Sequence, residues 1–302
     1  MATNACNNGA ENTGQPSCVP KKNVDAGIVL VKQLADDGSV NKISASDAVD
    51  ASYVSALINQ SDKSKRWYPV MNLKTVIGER AEPTTQDIDG VSYNTKVGTR
   101  TYDGIVYGAF ANPQFEGVLN SFANGKYGYY KIDINGNLTG IIDENGDLIP
   151  IKIELGTLYA IYKEPTATEV QNVHLKFMVK ESVKDKDLRT LDAQTITTDL
   201  LEIAGLIDVT GVATSPSTTG FVLTNKVIYG NPFVLPAFTG AVMADYTVYN
   251  ETTTSAVVLT SVTEGADGVY TFVMPAQTSA DILSVNLSKD GFEMATVTVT
   301  IP

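Results

Sequence analysis

Two Asn-Gly dipeptides ten residues apart, Asn135-Gly136 and Asn145-Gly146, constrain this chain more than any other feature. They separate apolar runs at 127–134, 138–142 and 148–155, and Asn-Gly between such runs is the strongest short-range hairpin signal. The pattern extends in both directions. A short apolar run at 26–31 reads as a first strand and 67–77 as β-like. Residues 92–97 and 101–110 read as strands flanking a turn at Gly98, while 79–90 reads as a polar loop containing Pro83. After another strand at 158–162, Val173, Leu175, Phe177 and Val179 alternate with His174, Lys176, Met178 and Lys180, as a half-buried strand requires.

Helical spacing is rare. Ser46 is a plausible cap, with Asp47 and Asp50 in the first turn, before Val49, Tyr53, Ala56 and Leu57 recur at helical intervals and fray near Gln60. Pro113 opens a second helix through Phe115, Val118, Leu119 and Phe122, ended by Asn124-Gly125. The chain is therefore expected to be mainly β with one or two short helices.

Composition then divides it. Residues 206–302 hold eight acidic and two basic residues, against 26 and 20 in the first 205. Short Val/Thr/Tyr-rich strands at 220–224, 246–249, 256–262, 268–273, 282–287 and 294–301 have the spacing of an immunoglobulin-sized sandwich of about 100 residues. Residues 1–23 are polar and aperiodic, so they read as a flexible arm in which Cys6 and Cys18 are free thiols or a disulfide pair. The expected organisation is an arm at 1–23, a β domain at 24–205 and a sandwich at 206–302. The longest uncharged stretch, 227–244, is broken by Asn231, Pro232, Pro236 and Gly240, which favours strand, turn, strand over a membrane helix. No basic-then-apolar leader opens the chain.

The residue inventory argues against most chemistry. A net charge of −12 opposes a sequence-independent nucleic-acid binder. Two cysteines and one histidine are too few for a zinc framework. His174 falls on the polar face of its strand, where a solvated imidazole is expected instead of a catalytic base, and no nucleophile elbow or phosphate-binding glycine loop occurs. Asp133, Asn135, Asn137 and Glu144 have calcium-loop spacing, but Leu138 replaces the glycine at the sharp turn and the flanks are β-like, which favours plain hairpin turns. Tyr127 and Tyr129 share one strand face and Tyr130 the other, the pattern of sheet packing. The expectation is no enzyme, no cofactor and no metal.

Several segments carry a resemblance. Val97-Gly98-Thr99-Arg100-Thr101-Tyr102-Asp103-Gly104, the Pro-led helix at 113–122, and Gly128-Tyr129-Tyr130-Lys131-Ile132-Asp133 running into Asn135-Gly136-Asn137 follow an early strand, a helix, a Trp67-Tyr68-Pro69 strand and a long loop. This order resembles the tail tube (major tail) proteins of tailed bacteriophages over about residues 24–205. Gly268-Val269-Tyr270-Thr271-Phe272-Val273-Met274-Pro275 resembles a strand of bacterial Ig-like modules, which tube proteins often carry at this end.

The resemblance implies a tail-tube-like β-barrel or sandwich followed by an Ig-like sandwich. It further implies a homo-oligomer of six-fold stacked rings in the virion tail, assembled in the host cytoplasm, meeting other tail or connector proteins and passing DNA without specific binding. A DNA conduit should repel phosphate. Asp133, Asp143, Glu144 and Asp147 are candidate lumen-facing acids, and Glu79, Arg80, Glu82, Asp87 and Asp89 a candidate inter-subunit loop; the alternative for both is a solvated loop tip. A different class of reading is a phage surface decoration, fibre or adhesin whose Ig-like domain binds carbohydrate, and a third is a β-sandwich glycosidase.

Overall fold

The computed structural model describes residues 22–229 and 233–302, so the arm expected at 1–23, apart from its last two residues, lies outside the described residues with Cys6 and Cys18. Asn231 and Pro232 lie outside them too. The protein is mainly β with two short α-helices. It divides into two compact units between Ala204 and Gly205.

The first unit contains β1 (Asp25–Lys32), α1 (Ala51–Ile58), β2 (Tyr68–Val70), β3 (Leu73–Ile77), β4 (Thr84–Ile88), β5 (Val91–Lys96), β6 (Thr101–Tyr107) and α2 (Pro113–Ser121). It continues with β7 (Tyr127–Asp133), β8 (Leu138–Ile142), β9 (Leu148–Ile149), β10 (Ile151–Lys152), β11 (Tyr159–Lys163), β12 (Asn172–Met178) and β13 (Leu188–Leu191). One antiparallel sheet runs β13-β8-β7-β1-β2, with β10 on β7 and β9 on β8; a second runs β11-β12-β6-β3.

β1 is central. Ile28, Val29, Leu30 and Val31 are wholly buried, which explains an unbroken apolar run where a one-sided strand would alternate. Leu30 pairs with Tyr129, and both join the core with Tyr102, Leu175 and Phe177. Val29 pairs with Tyr130 on the opposite face, where Trp67 packs 5.5 Å from the Tyr130 ring. Each fully buried side chain of this size contributes about 2 kcal/mol. Met71 and Asn72, the latter at φ 63°, carry the chain from β2 in one sheet to β3 in the other.

Both helices are short and capped by side chains. α1 begins four residues later than the Ser46 cap predicts: the Asp50 carboxylate accepts from Tyr53 N, while Asp47 accepts from Ser44 N and closes a turn ahead of the helix. Asn112 caps α2, with Pro113 following it. Asn120, on α2, donates to Ala160 O (3.2 Å) and accepts from Ala160 N (2.7 Å), so at that residue of β11 its amide stands where another strand would.

The second unit contains β14 (Ile207–Ser217), β15 (Gly220–Val227), β16 (Tyr246–Asn250), β17 (Ser255–Val257), β18 (Ser261–Glu264), β19 (Val269–Val273), β20 (Ile282–Leu287), β21 (Phe292–Met294) and β22 (Val297–Thr300). Two sheets, β18-β19-β15-β14-β21 and β17-β16-β20-β22, form a sandwich in which only β14 and β21 pair parallel. β15 alternates half-buried and buried side chains without a break. Phe221 stacks on Phe272 at 4.5 Å, and Tyr246 meets Phe272 edge-on at 4.9 Å. The Tyr270 hydroxyl donates to Phe238 O (3.1 Å), which ties a loop to this core.

Three expectations for this unit change. β14 escapes the sequence pattern because most of its side chains are exposed. The run at 256–262 splits into β17 and β18, which join different sheets. The stretch at 227–244 supplies the end of β15 but no second strand among the described residues, only an isolated Lys226–Ala237 bridge. Among the described residues no helix is long and apolar enough to cross a membrane.

Candidate functional site

The residues expected to form a polar loop instead extend a sheet. β3 pairs with β6 as far as Ile77–Asp103, and the ladder continues beyond the body. Thr101 N donates to Glu79 O (2.9 Å), Ala81 N donates to Thr99 O (2.9 Å), and β4 pairs with β5 out to Ile88–Val91. Residues 79–100 are therefore a two-stranded ribbon, and every side chain of β4 and β5 is exposed. Gly98 is not a turn between β5 and β6; the chain runs straight through it. A Cβ at Gly98 would lie 1.6 Å from Ala81 O, so only glycine lets the two strands meet there. The turn is at Asp89-Gly90, where φ is 52° and 78°, the left-handed pair of a two-residue hairpin.

The ribbon has two unlike faces. Cross-strand partners share a face, so Ile88, Val91, Gln86 and Tyr93 lie on one side and Asp87, Ser92, Thr85 and Asn94 on the other. Ile88, Val91 and Tyr93 are each about half exposed, at 50%, 52% and 52%, with no core beneath them. Of the predicted loop residues, Glu79 and Arg80 stand at the root, Glu82 above them, and Asp87 and Asp89 at the tip, all exposed. Arg80 donates to Gly98 O across the ribbon (3.3 Å) and pairs with Asp185, which also pairs with Arg100. Asp185 thus fastens both strands to the body.

The candidate lumen acids separate by role. Asp133 is buried; one oxygen accepts from the backbone N–H groups of Asn135 and Asn137, the other from the Asn137 amide and Asn23 N. Those oxygens serve a turn, the chemistry expected of a hairpin. Asp143 repeats the motif with Asn145 and Asp147, leaving its side chain half-buried. Asp147 is buried against Lys42 Nζ (2.6 Å) and Ala45 N (2.9 Å). The Lys42 hydrogen bond holds the Asp147 carboxyl below its ordinary range and raises Lys42 in turn. Glu144 alone of the four is exposed.

His174 is half-buried, not solvated. Its Nδ1 lies 3.0 Å from Asp103 Oδ1, and Lys176 Nζ lies 2.9 Å from Asp103 Oδ2, which makes a polar row across β12 and β6. Among the described residues no cluster of three His, Cys, Asp or Glu side chains is placed to hold a metal ion.

No protein-family model matches the chain, and no curated protein matches it in sequence. The geometry must therefore carry the reading. What the sequence did not reveal is the clamp at Asp185 and a set of cations around the ribbon root, because these residues come from separate segments and converge only in the fold.

Proposed function

We propose that the protein is a structural virion subunit that assembles with copies of itself into stacked rings, forming a phage tail tube. One observation carries this reading: a ribbon with an apolar face and two open edges projects from an otherwise well-packed body. A two-stranded ribbon alone is marginal in water, and its unpaired N–H and C=O groups template pairing with another chain. Such an element is completed by a second surface.

The motifs resembling tail tube proteins support the tube over other assemblies. In that setting, Glu144 is the acid available to repel passing DNA, while Asp133 and Asp143 hold their turns and Asp147 is paired with Lys42. Other tail or connector proteins meet the tube ends in the virion. The test is electron microscopy of the purified chain beside an Ile88→Ser, Val91→Ser, Tyr93→Ser variant. Wild-type rings or tubes, with a variant that stays monomeric at unchanged melting temperature, support the proposal. A variant that assembles like the wild type, or a wild type that never assembles, overturns it.

The second unit favours a further reading. Tyr229 is 54% exposed, and the adjacent Phe233 and Val234 are 92% and 71% exposed, apolar and aromatic side chains of the kind that carbohydrate-binding decorations or adhesins present. Retention of the second unit on a glycan array, lost in Tyr229→Ala and Phe233→Ala, would favour a decoration protein over the tube.

A further inference from the structure

Beside the ribbon root lies a cleft of about 390 Å³ lined by Lys22, Arg80, Arg100 and Lys131, by Asp185, and by Tyr102. Four cations converge there in a chain of net charge −12. Asp185 pairs with both arginines, Asp25 pairs with Lys131 at 3.0 Å and Asp133 acts on Lys22, so the cations still outnumber the acids around the cleft. Lys131 Nζ also stands 5.3 Å from the centroid of the Tyr102 ring. The Tyr102 hydroxyl is buried and has no hydrogen-bond partner among the described residues. Burial lowers the pKa of Arg100, and the like charge of Arg80 acts in the same direction.

Gathering like charges around a cleft is unfavourable. One added species relieves it: an anion with several acceptor oxygens. We propose that this cleft is a binding site for a multivalent oxyanion of the phosphate class. Ammonium and guanidinium donors are available from four segments, and charge-assisted bonds to phosphate are among the strongest that side chains make. Bound there, the anion would link the ribbon root, through Arg80 and Arg100, to β7, through Lys131. The site does not depend on assembly, and each copy carries its own.

The test is calorimetric titration of the dilute full chain with inorganic phosphate and with pyrophosphate, in phosphate-free buffer, with chloride at matched ionic strength as the control. One saturable site is expected, tighter for pyrophosphate and absent for chloride. Lys22→Gln and Lys131→Gln should each weaken binding about tenfold, the loss of one charge-assisted hydrogen bond. Absence of saturable heat, or unchanged affinity in both variants, overturns the proposal. It is equally overturned if the cleft fills only as protein concentration rises and empties in Asp87→Asn, Asp89→Asn, because the acidic ribbon tip of a second copy is then the occupant.

Discussion

Asp133 and Asp143 hold equivalent places in twin turns, yet their losses should differ. Asp133 accepts four N–H bonds and is buried, whereas Asp143 accepts two backbone bonds at a half-buried site. Asp133→Ala should cost about 2–3 kcal/mol and Asp143→Ala about 1 kcal/mol in chemical denaturation. The Asn-Gly signals located both turns, with a different geometry from the simplest expectation. Gly136 and Gly146 are left-handed at φ 80° and 85° but Asn135 and Asn145 are not, so each loop is a three-residue turn closed by glycine. Asp147 sets an acid limit. Its pKa is depressed in the folded state, so its contribution is complete above its unfolded value of about 4 and is lost as pH falls through the folded one. Acid unfolding followed by circular dichroism should begin at higher pH for Asp147→Asn than for wild type.

At the scale of elements, what the sequence revealed tracks what the core demands. β1, β7 and β12 were legible because each puts apolar side chains against another layer. β4 and β14 were not, because their side chains face water and neither alternates nor clusters. The Asp89-Gly90 pair between Ile88 and Val91 did mark a hairpin, but the polar residues before it outweighed that signal. Gly98→Ala should part the ribbon strands while sparing the body: unfolding by heat should change little and assembly should be lost. Hydrogen exchange should find β4 and β5 amides open in the monomer and protected in assemblies.

At the scale of the whole chain, each unit has its own core, one centred on Leu30, Tyr129 and Phe177 and the other on Leu223, Phe272 and Val285. The fall in basic residues lies near 205, close to the division between the two units. The cationic cleft had no such marker, since positions 22, 80, 100 and 131 share no motif. Residues 1–204 expressed alone should fold and assemble, and calorimetry of the full chain should resolve two transitions. A truncation that folds but no longer assembles would assign the contacts to the second unit. One mechanical property follows from the way β3 and β6 enter the ribbon unbroken. A pull along its length meets bonds lying crosswise to the load, all of which must slip together before any one yields. Joined to a neighbour, it would behave as a lapped splice and not as a zipper, tolerating tension along its own axis far better than peeling from the tip.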